Sequence, residues 1–212
     1  MIPLEPFILF WSALFGGVVG SFLNVVIHRL PLGKSLSKPG SQCPKCGHAI
    51  RWHDNIPVFG WGILGGKCRD CKEPISLRYP FIEALTAAMF CAVAAVFLYT
   101  QPMENPWLPW RPVTDWTIEM KIGVATLQLT LLTLALTIGM IEYDGRKPPK
   151  VLCWSAGIVL LALVLTGTVI MLPVVGIAIV IYAAIWFVSR RSLAFLSLWA
   201  GFMLQILWAL GQ

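Results

Sequence analysis

Charged side chains are scarce in this sequence: Asp, Glu, Lys and Arg together make up only 12% of its 212 residues, whereas 58% are hydrophobic. Soluble globular domains carry about 25% charged residues, so the composition excludes an ordinary soluble enzyme. A chain of this kind can satisfy its backbone polar groups inside a bilayer by forming helices. The sequence therefore predicts an all-α polytopic membrane protein.

Acidic side chains are missing altogether from the last part of the sequence. The final one is Asp144, and residues 145–212 contain neither Asp nor Glu. A carboxylate pair that shares a proton needs two acids close together, so no such pair can draw a member from this region. The sequence also has no glycine-rich nucleotide-binding loop following a strand, and the residues themselves therefore indicate no nucleotide site.

Long apolar runs dominate what is present. Runs of about 17 to 25 residues can cross the hydrocarbon core of a bilayer as helices. We count about six of them, and they occupy residues 7–27, 81–99, 122–141, 151–167, 173–188 and 192–210. No charge interrupts 151–188, where Gly167 and Pro173 mark the reversal of the chain, so an alternative with five spans stays open.

Basic side chains predict how these helices are oriented. Of the 16 Lys and Arg residues, 14 lie in the three loops that six spans would place on one side of the membrane, which leaves only Arg111 and Lys121 on the other. Loops rich in Lys and Arg stay in the cytoplasm. We therefore expect the first loop to be cytoplasmic and both termini to face outward. The net charge of +6 follows from this topology, and we expect no nucleic-acid partner.

Four of the six cysteines lie in the one sizeable polar segment, residues 28–80. They form two pairs, CPKC at 43–46 and CRDC at 68–71. Two such pairs can present four thiolates to one ion, which is the tetrahedral set that structural Zn²⁺ accepts. A cytoplasmic location disfavours disulfides. We therefore predict a small zinc-ribbon-like domain whose metal ligands are Cys43, Cys46, Cys68 and Cys71.

Other interpretations of this segment remain open. The four thiols could be free or redox-active, and His48 or His53 could replace a cysteine as a ligand. Whichever holds, the segment divides the chain into three parts. These are a first transmembrane helix at 1–27, the cytoplasmic four-cysteine domain at 28–80 and a transmembrane helical bundle at 81–212.

Small and polar residues mark the first span. Gly16, Gly17 and Gly20 would allow another helix to approach closely. Asn24 and His28, four residues apart, would share one face near the end of this span, where polar groups need partners within the bundle. The first span is therefore expected to pack tightly against a neighbour.

Titratable side chains also occur inside the predicted spans. Glu83 is a lone acid just within the second span, and we expect it to form a structural ion pair with Arg78 or Arg29. Cys91 and Cys153 lie within spans as well, where small apolar core positions are expected. A catalytic role for Glu83 is the alternative to this ion pair.

Three stretches around the cysteine pairs carry a family resemblance. They are GSFLNVVIHRLP at 20–31, HDNIPVFGWGILGGKCRDC at 53–71 and ISLRYPFIEALTAAMF at 75–90. With the cysteine pairs, they resemble the N-terminal domain of the bacterial prepilin peptidases, or type 4 leader peptidases, over about residues 13–95. The resemblance implies a multi-pass protein of the bacterial inner membrane that serves type IV pilus or type II secretion biogenesis. Its implied partners are the lipid bilayer, type IV pilin-like precursors and assembly components.

The resemblance also implies a chemistry. Enzymes of this family remove the leader peptide from pilin-like precursors by an aspartic mechanism, and many then methylate the new N-terminus with S-adenosylmethionine. Their cysteine-bearing domain is linked to metal binding and to methylation. S-adenosylmethionine is thus implied by resemblance alone, beside structural zinc.

The stretch GMIEYDGRKPPK, residues 139–150, matches the first catalytic motif of the family only in part. Glu142 stands where the resemblance places the first aspartate, Lys150 stands where the aspartate after a proline belongs, and Asp144 lies two residues beyond Glu142. The second family motif, Gly-x-Gly-Asp, is absent, and Ser192 falls about where its aspartate belongs. We therefore expect the catalytic half to be degenerate.

Three functions follow from this pattern. The first is a pseudoenzyme that has lost proteolysis and acts as a scaffold or partner in assembly. The second is an active aspartic-type endopeptidase that uses Glu142 with Asp144. Residues two apart point to different faces of a helix, so these acids would converge only if the helix ended between them. The third is a homologue that retains methyltransferase activity alone.

Overall fold

The computed structural model describes residues 4–99 and 117–165. The chain divides into two compact units, residues 1–91 and 92–212. Five α-helices follow one another in the described residues: α1 (Leu4–Arg29), α2 (Phe59–Ile63), α3 (Arg78–Tyr99), α4 (Ile118–Tyr143) and α5 (Lys150–Leu165). The only β-pairing in this part of the chain consists of two isolated bridges. The predicted helical character is therefore confirmed here.

Three of these helices, α1, α3 and α4, are long and apolar enough to cross a membrane. They coincide with the first three predicted spans. α5 covers most of the predicted span 151–167, but its 16 described residues are fewer than the ~20 that a crossing needs. The predicted spans 173–188 and 192–210, and with them the choice between five and six spans, lie outside the described residues.

The contact between α1 and α3 is built on small residues. A Cβ added to Gly16 would lie 2.8 Å from the carbonyl oxygen of Thr86, and one added to Gly20 would lie 2.8 Å from the Cα of Glu83. The two backbones therefore touch, as predicted for the glycines of the first span. The contacts occur in opposite order along the two helices, which makes α1 and α3 antiparallel neighbours.

Polar side chains hold the end of this helix pair that adjoins the cysteine segment. The buried Asn24 donates a hydrogen bond from Nδ2 to the carbonyl oxygen of Tyr79 at 3.2 Å, so it has the partner that a polar group in a helix pair needs. Arg29 donates to the carbonyl oxygens of Ser35 at 3.2 Å and Pro39 at 2.7 Å. These bonds hold the loop that leaves α1 against the end of the helix.

Threonine hydroxyl groups of α4 form hydrogen bonds within the helix itself. It begins after Thr117, whose side chain accepts a hydrogen bond from the amide of Met120 at 3.4 Å. Thr126 and Thr130 donate their hydroxyls to carbonyl oxygens four residues earlier, at 2.8 Å and 2.7 Å. Such internal bonds satisfy hydroxyl groups that lipid could not, and they make this threonine-bearing helix compatible with a bilayer.

Candidate metal centre and acidic position

The cysteine segment contains two copies of one turn, which we name knuckle 1 (residues 41–50) and knuckle 2 (residues 66–75). In knuckle 1 the amide of Cys43 donates to the carbonyl of His48 at 2.9 Å, and in knuckle 2 the amide of Cys68 donates to the carbonyl of Glu73 at 2.8 Å. Each partner in knuckle 2 lies 25 positions after its counterpart. An antiparallel bridge closes each copy, Gln42 with Ala49 and Lys67 with Pro74. The cysteine segment is therefore an internal repeat.

Both knuckles require a left-handed residue directly after their second cysteine. Gly47 has φ +74 and donates its amide to the carbonyl of Cys43 at 2.9 Å. Lys72 occupies the equivalent position with φ +60 and donates to the carbonyl of Cys68 at 3.1 Å. Glycine adopts this conformation without a Cβ penalty, whereas lysine does not. Knuckle 2 is therefore the more strained copy.

The variant Lys72→Gly should relieve this strain and stabilise the folded knuckle by about 0.5 kcal/mol, the Cβ penalty less the greater entropy of an unfolded glycine. We expect zinc to bind about twofold more tightly, as measured by competition with a chromophoric chelator. Gly47→Lys, the reciprocal change in knuckle 1, should weaken zinc binding. Equal affinities for the two variants and the unaltered protein would contradict this account.

The structure brings the four predicted metal ligands together. The Sγ atoms of Cys43, Cys46, Cys68 and Cys71 all lie within 4.8 Å of one another. Those of Cys43 and Cys71 are 3.8 Å apart. Four sulfur atoms placed ~2.3 Å from one zinc ion have neighbour distances of about 3.8 Å. The cluster could therefore bind a metal ion, and its size fits the tetrahedral site that structural zinc prefers.

Backbone amides of the knuckles point at these sulfur atoms. The amides of Cys46 and Lys45 donate to Cys43 and lower the pKa of its thiol to about 6. The amide of Glu73 favours the thiolate of Cys71, yet desolvation and the neighbouring thiols outweigh it and raise the pKa of Cys71 to about 12. The thiols thus resist ionising together. A divalent cation would supply the charge that lets all four ionise.

A partly buried ion pair connects knuckle 2 to the rest of the segment. Nε of Arg69 donates to Asp54 Oδ2 at 2.7 Å, and a second guanidinium nitrogen binds the other carboxylate oxygen. The side chain of Asp54 is only 4% exposed, and the guanidinium holds its pKa below the usual range. Asp54 belongs to a 3-10 helix, Trp52–Asn55, whose backbone contacts the buried Gly60 of α2. The bidentate pair therefore fixes knuckle 2 against α2.

The other candidate ligands lie apart from the cluster. His48 is exposed and accepts a hydrogen bond from the Cys43 amide through its backbone carbonyl, and His53 Nε2 lies 3.6 Å from an oxygen of Asp54. In the part of the chain that the structure describes, the group able to hold a metal consists of the four cysteines alone. Cys91 is half-buried on α3, whereas Cys153 is exposed on α5, so the predicted core position of Cys153 is wrong.

The two acids of the predicted catalytic position flank the end of α4. Glu142 lies half-buried in the last turn, and Asp144 caps the helix directly after it ends. The amide of Gly145, which has φ +71, donates to the carbonyl of Glu142 at 2.8 Å, and that of Arg146 donates to the carbonyl of Ile141 at 3.1 Å. This is the Schellman motif, which ends helices at a left-handed glycine. The helix therefore ends between the two acids.

Glu83 binds a backbone amide. Its Oε2 atom accepts a hydrogen bond from the amide of Val58 at 2.7 Å. Arg29, one of the two predicted ion-pair partners, instead donates to backbone carbonyl oxygens of the loop that follows α1. The expected ion pair with Arg29 is therefore wrong. The structural role expected for Glu83 is fulfilled by its contact with the loop before α2.

Two features of this site are absent from the sequence-based predictions. The internal repeat has a signal in the sequence, because both copies share the pattern C-x2-C-x3-I that ends at Ile50 and Ile75. The bond between Val58 and Glu83 has no such signal. It depends on how the loop packs against α3, which residue types and spacing do not specify.

Residues 14–97 match the family model of the Bacterial Peptidase A24 N-terminal domain. The prepilin leader peptidase/N-methyltransferase of Myxococcus xanthus is 51% identical over 85 residues, which cover 40% of this chain and 25% of that protein. The protein of the same name from Klebsiella pneumoniae is 51% identical over 81 residues, covering 35% of this chain and 36% of the relative. The Pseudomonas aeruginosa protein is 43% identical over 112 residues, covering 42% and 39%. No solved structure matches the chain.

The matched part of the chain corresponds to about a quarter to two fifths of the length of these relatives. The family-model match contains both knuckles, α2 and the contact between α1 and α3. The stretches on which the resemblance is based therefore lie in the same part of the chain as the four-cysteine cluster. Residues 14–97 are therefore similar to the bacterial peptidase A24 N-terminal domain, and the resemblance to the prepilin peptidases is confirmed over this part of the chain.

Proposed function

We propose that this protein is a membrane-embedded relative of the prepilin peptidases that binds pilin-like precursors, or components of pilus or type II secretion assembly, without cleaving them. It would lie in the bacterial inner membrane with its knuckles in the cytoplasm and both termini outside. One observation carries the proposal. An A24-type N-terminal domain with four converging cysteines is followed by an acidic position, Glu142, and residues 145–212 contain no acid that could complete it.

The N-terminal domain supports the choice of partner. Its relatives are named prepilin leader peptidase/N-methyltransferase, so precursors of the pilin type are the class of protein that such a domain would meet. Its metal site has four protein ligands and therefore no open position for substrate or water. Zinc bound there would hold the two knuckles together and would not act on a peptide bond.

The acids of the cysteine segment support the loss of proteolysis. An aspartic mechanism needs one carboxylate as a base and a second, protonated, to polarise the scissile carbonyl. Asp54 is bound by Arg69, Asp70 lies 3.8 Å from Arg51, and Glu73 lies 3.6 Å from Lys45. Each therefore has a basic partner within its own segment.

A second candidate is an active peptidase that uses Glu142 with Asp144. The observation in its favour is that α4 ends between the two acids. Within a continuous helix, residues two apart would point to different faces. Glu142 would carry its carboxylate one methylene further from the backbone than the aspartate of the family motif. Such a pair would act on the same leader peptide.

The test is to incubate the purified, membrane-reconstituted protein with a type IV prepilin and to measure both binding and leader removal. Binding without cleavage is the expected result. Cleavage that disappears in Glu142→Ala or Asp144→Ala would establish the second candidate instead. Adding radiolabelled S-adenosylmethionine to a precleaved pilin tests for methyl transfer in the same preparation. Failure to bind the precursor would overturn the proposed partner.

A further inference from the structure

The segment Ile56–Ile63 reaches along the α1–α3 pair, away from the knuckles. Pro57 packs on α1, because a Cβ added to Gly17 would lie 3.2 Å from the Pro57 Cβ. Val58 reaches α3, where its amide donates to the carboxylate of Glu83 at 2.7 Å. The segment is therefore anchored to both helices at once.

These anchor points lie beyond the level at which the helix pair begins. The bond between Asn24 and Tyr79 marks that level, since α3 begins one residue before Tyr79. With a rise of 1.5 Å per residue, Glu83 lies about 6 Å further along α3 and Gly17 about 10 Å further along α1. Both helices are apolar enough to cross a membrane. On helices that cross a bilayer from this level, Pro57 and Val58 would lie at the depth of the outer hydrocarbon layer.

The backbone at this depth is not helical, and it is nevertheless satisfied. Val58 has φ +64 and ψ −52, and the amide of Phe59 donates to the carbonyl of Pro57 at 2.7 Å, which closes a tight γ-turn. The turn leaves the Val58 amide without a helical partner. Irregular backbone within a bilayer requires protein partners for such groups. Glu83 supplies that partner.

α2 continues from this turn and presents an apolar face. Trp61 points back to knuckle 2, where its Nε1 donates to the carbonyl of Ile75 at 2.9 Å. Phe59 and Ile63, four residues apart, lie on the opposite face and are 71% and 69% exposed. Large apolar side chains this exposed indicate a surface that meets an apolar partner.

We propose that Ile56–Ile63 is a re-entrant wedge that inserts into the lipid leaflet on the side of the knuckles, with Phe59 and Ile63 among the acyl chains. Phe22 on α1 and Phe81 on α3 are also exposed, and both lie on helices of membrane-crossing length. The surrounding segment, residues 28–80, carries nine basic and three acidic side chains and so suits anionic headgroups. The four-cysteine domain is therefore partly membrane-embedded.

Photocrosslinking in vesicles of phosphatidylethanolamine and phosphatidylglycerol tests this directly. Benzoylphenylalanine is placed at Phe59 in the full chain, and His48, exposed on knuckle 1, receives the same label as a matched control. Irradiation should give a lipid adduct at Phe59 in about tenfold higher yield than at His48, since only a membrane-inserted side chain is surrounded by acyl chains. Equal lipid yields, or adducts at Phe59 to a second copy of the chain or to another protein, would overturn the wedge.

Glu83 variants test how the wedge is held. Glu83→Gln keeps an acceptor oxygen for the Val58 amide and should leave the lipid adduct at Phe59 unchanged. Glu83→Leu removes the acceptor and should reduce that adduct severalfold, while the zinc content, which depends on the knuckles, stays constant. An unchanged adduct in Glu83→Leu would refute the positioning role of Glu83. Neither assay involves a pilin precursor, so these results are independent of the proposed function.

Discussion

Replacing Cys43 by Ser should leave the purified protein without bound zinc. Backbone amides lower the pKa of the Cys43 thiol, and its sulfur atom lies within 4.8 Å of the other three. We expect a segment as small as 28–80 to depend on bound zinc for folding, because structural zinc contributes roughly 10 kcal/mol or more in comparable small domains. Metal analysis should therefore find about one zinc per unaltered chain and almost none in Cys43→Ser after mild chelation.

The matching control is Cys153→Ser, since this thiol is exposed on α5 and lies outside the cluster. It should retain its zinc. Limited proteolysis adds a second measurement, because loss of the metal should open the basic sites at Lys45, Arg51 and Lys67 to trypsin. Stoichiometric zinc in Cys43→Ser would eliminate the four-cysteine site, and so would an unaltered protein that binds no metal.

Gly20→Leu should separate α1 from α3. Even a single Cβ at Gly20 would meet the Cα of Glu83 at 2.8 Å and the hydroxyl of Thr86 at 3.0 Å, so a leucine cannot fit without moving a backbone. Overpacking of this kind costs about 3 kcal/mol. We expect the free energy of unfolding in mixed detergent micelles to fall by that amount, measured by titration with sodium dodecyl sulfate.

Gly123→Leu on α4 provides the comparison. A Cβ at Gly123 meets nothing within 4 Å, so this variant adds the same apolar side chain to a membrane helix without a clash. Its unfolding free energy should stay within about 0.5 kcal/mol of the unaltered protein. Similar losses in both variants would show that leucine itself, and not the contact at Gly20, causes the effect.

Features that follow from local pattern were predictable from the sequence. The helices α1, α3 and α4 coincide with uninterrupted apolar runs, because a bilayer demands length and apolarity more than any particular side chain. The cysteine cluster was equally predictable, since the spacing within each CxxC pair suits two ligands of one metal ion. The close contact between α1 and α3 was predictable from the glycines of the first span, because glycine has no side chain to keep two helices apart.

Features that depend on tertiary packing were not predictable. Glu83 was expected to pair with a basic side chain. Its carboxylate instead accepts a hydrogen bond from the amide of Val58, which the turn leaves without a helical partner. Arg29 was expected to pair with an acid, and it binds carbonyl groups of the following loop instead. A buried polar group is satisfied by whatever the fold brings near it, and charge alone does not identify that partner.

The position of the knuckles in the chain has a consequence for biosynthesis. Both precede α3, whereas the acceptor for the Val58 amide lies within α3 itself. The four cysteines are therefore synthesised before α3 and could bind an ion at that stage. If zinc binds there, its supply during translation would decide whether α3 meets a folded cysteine segment or an unfolded one.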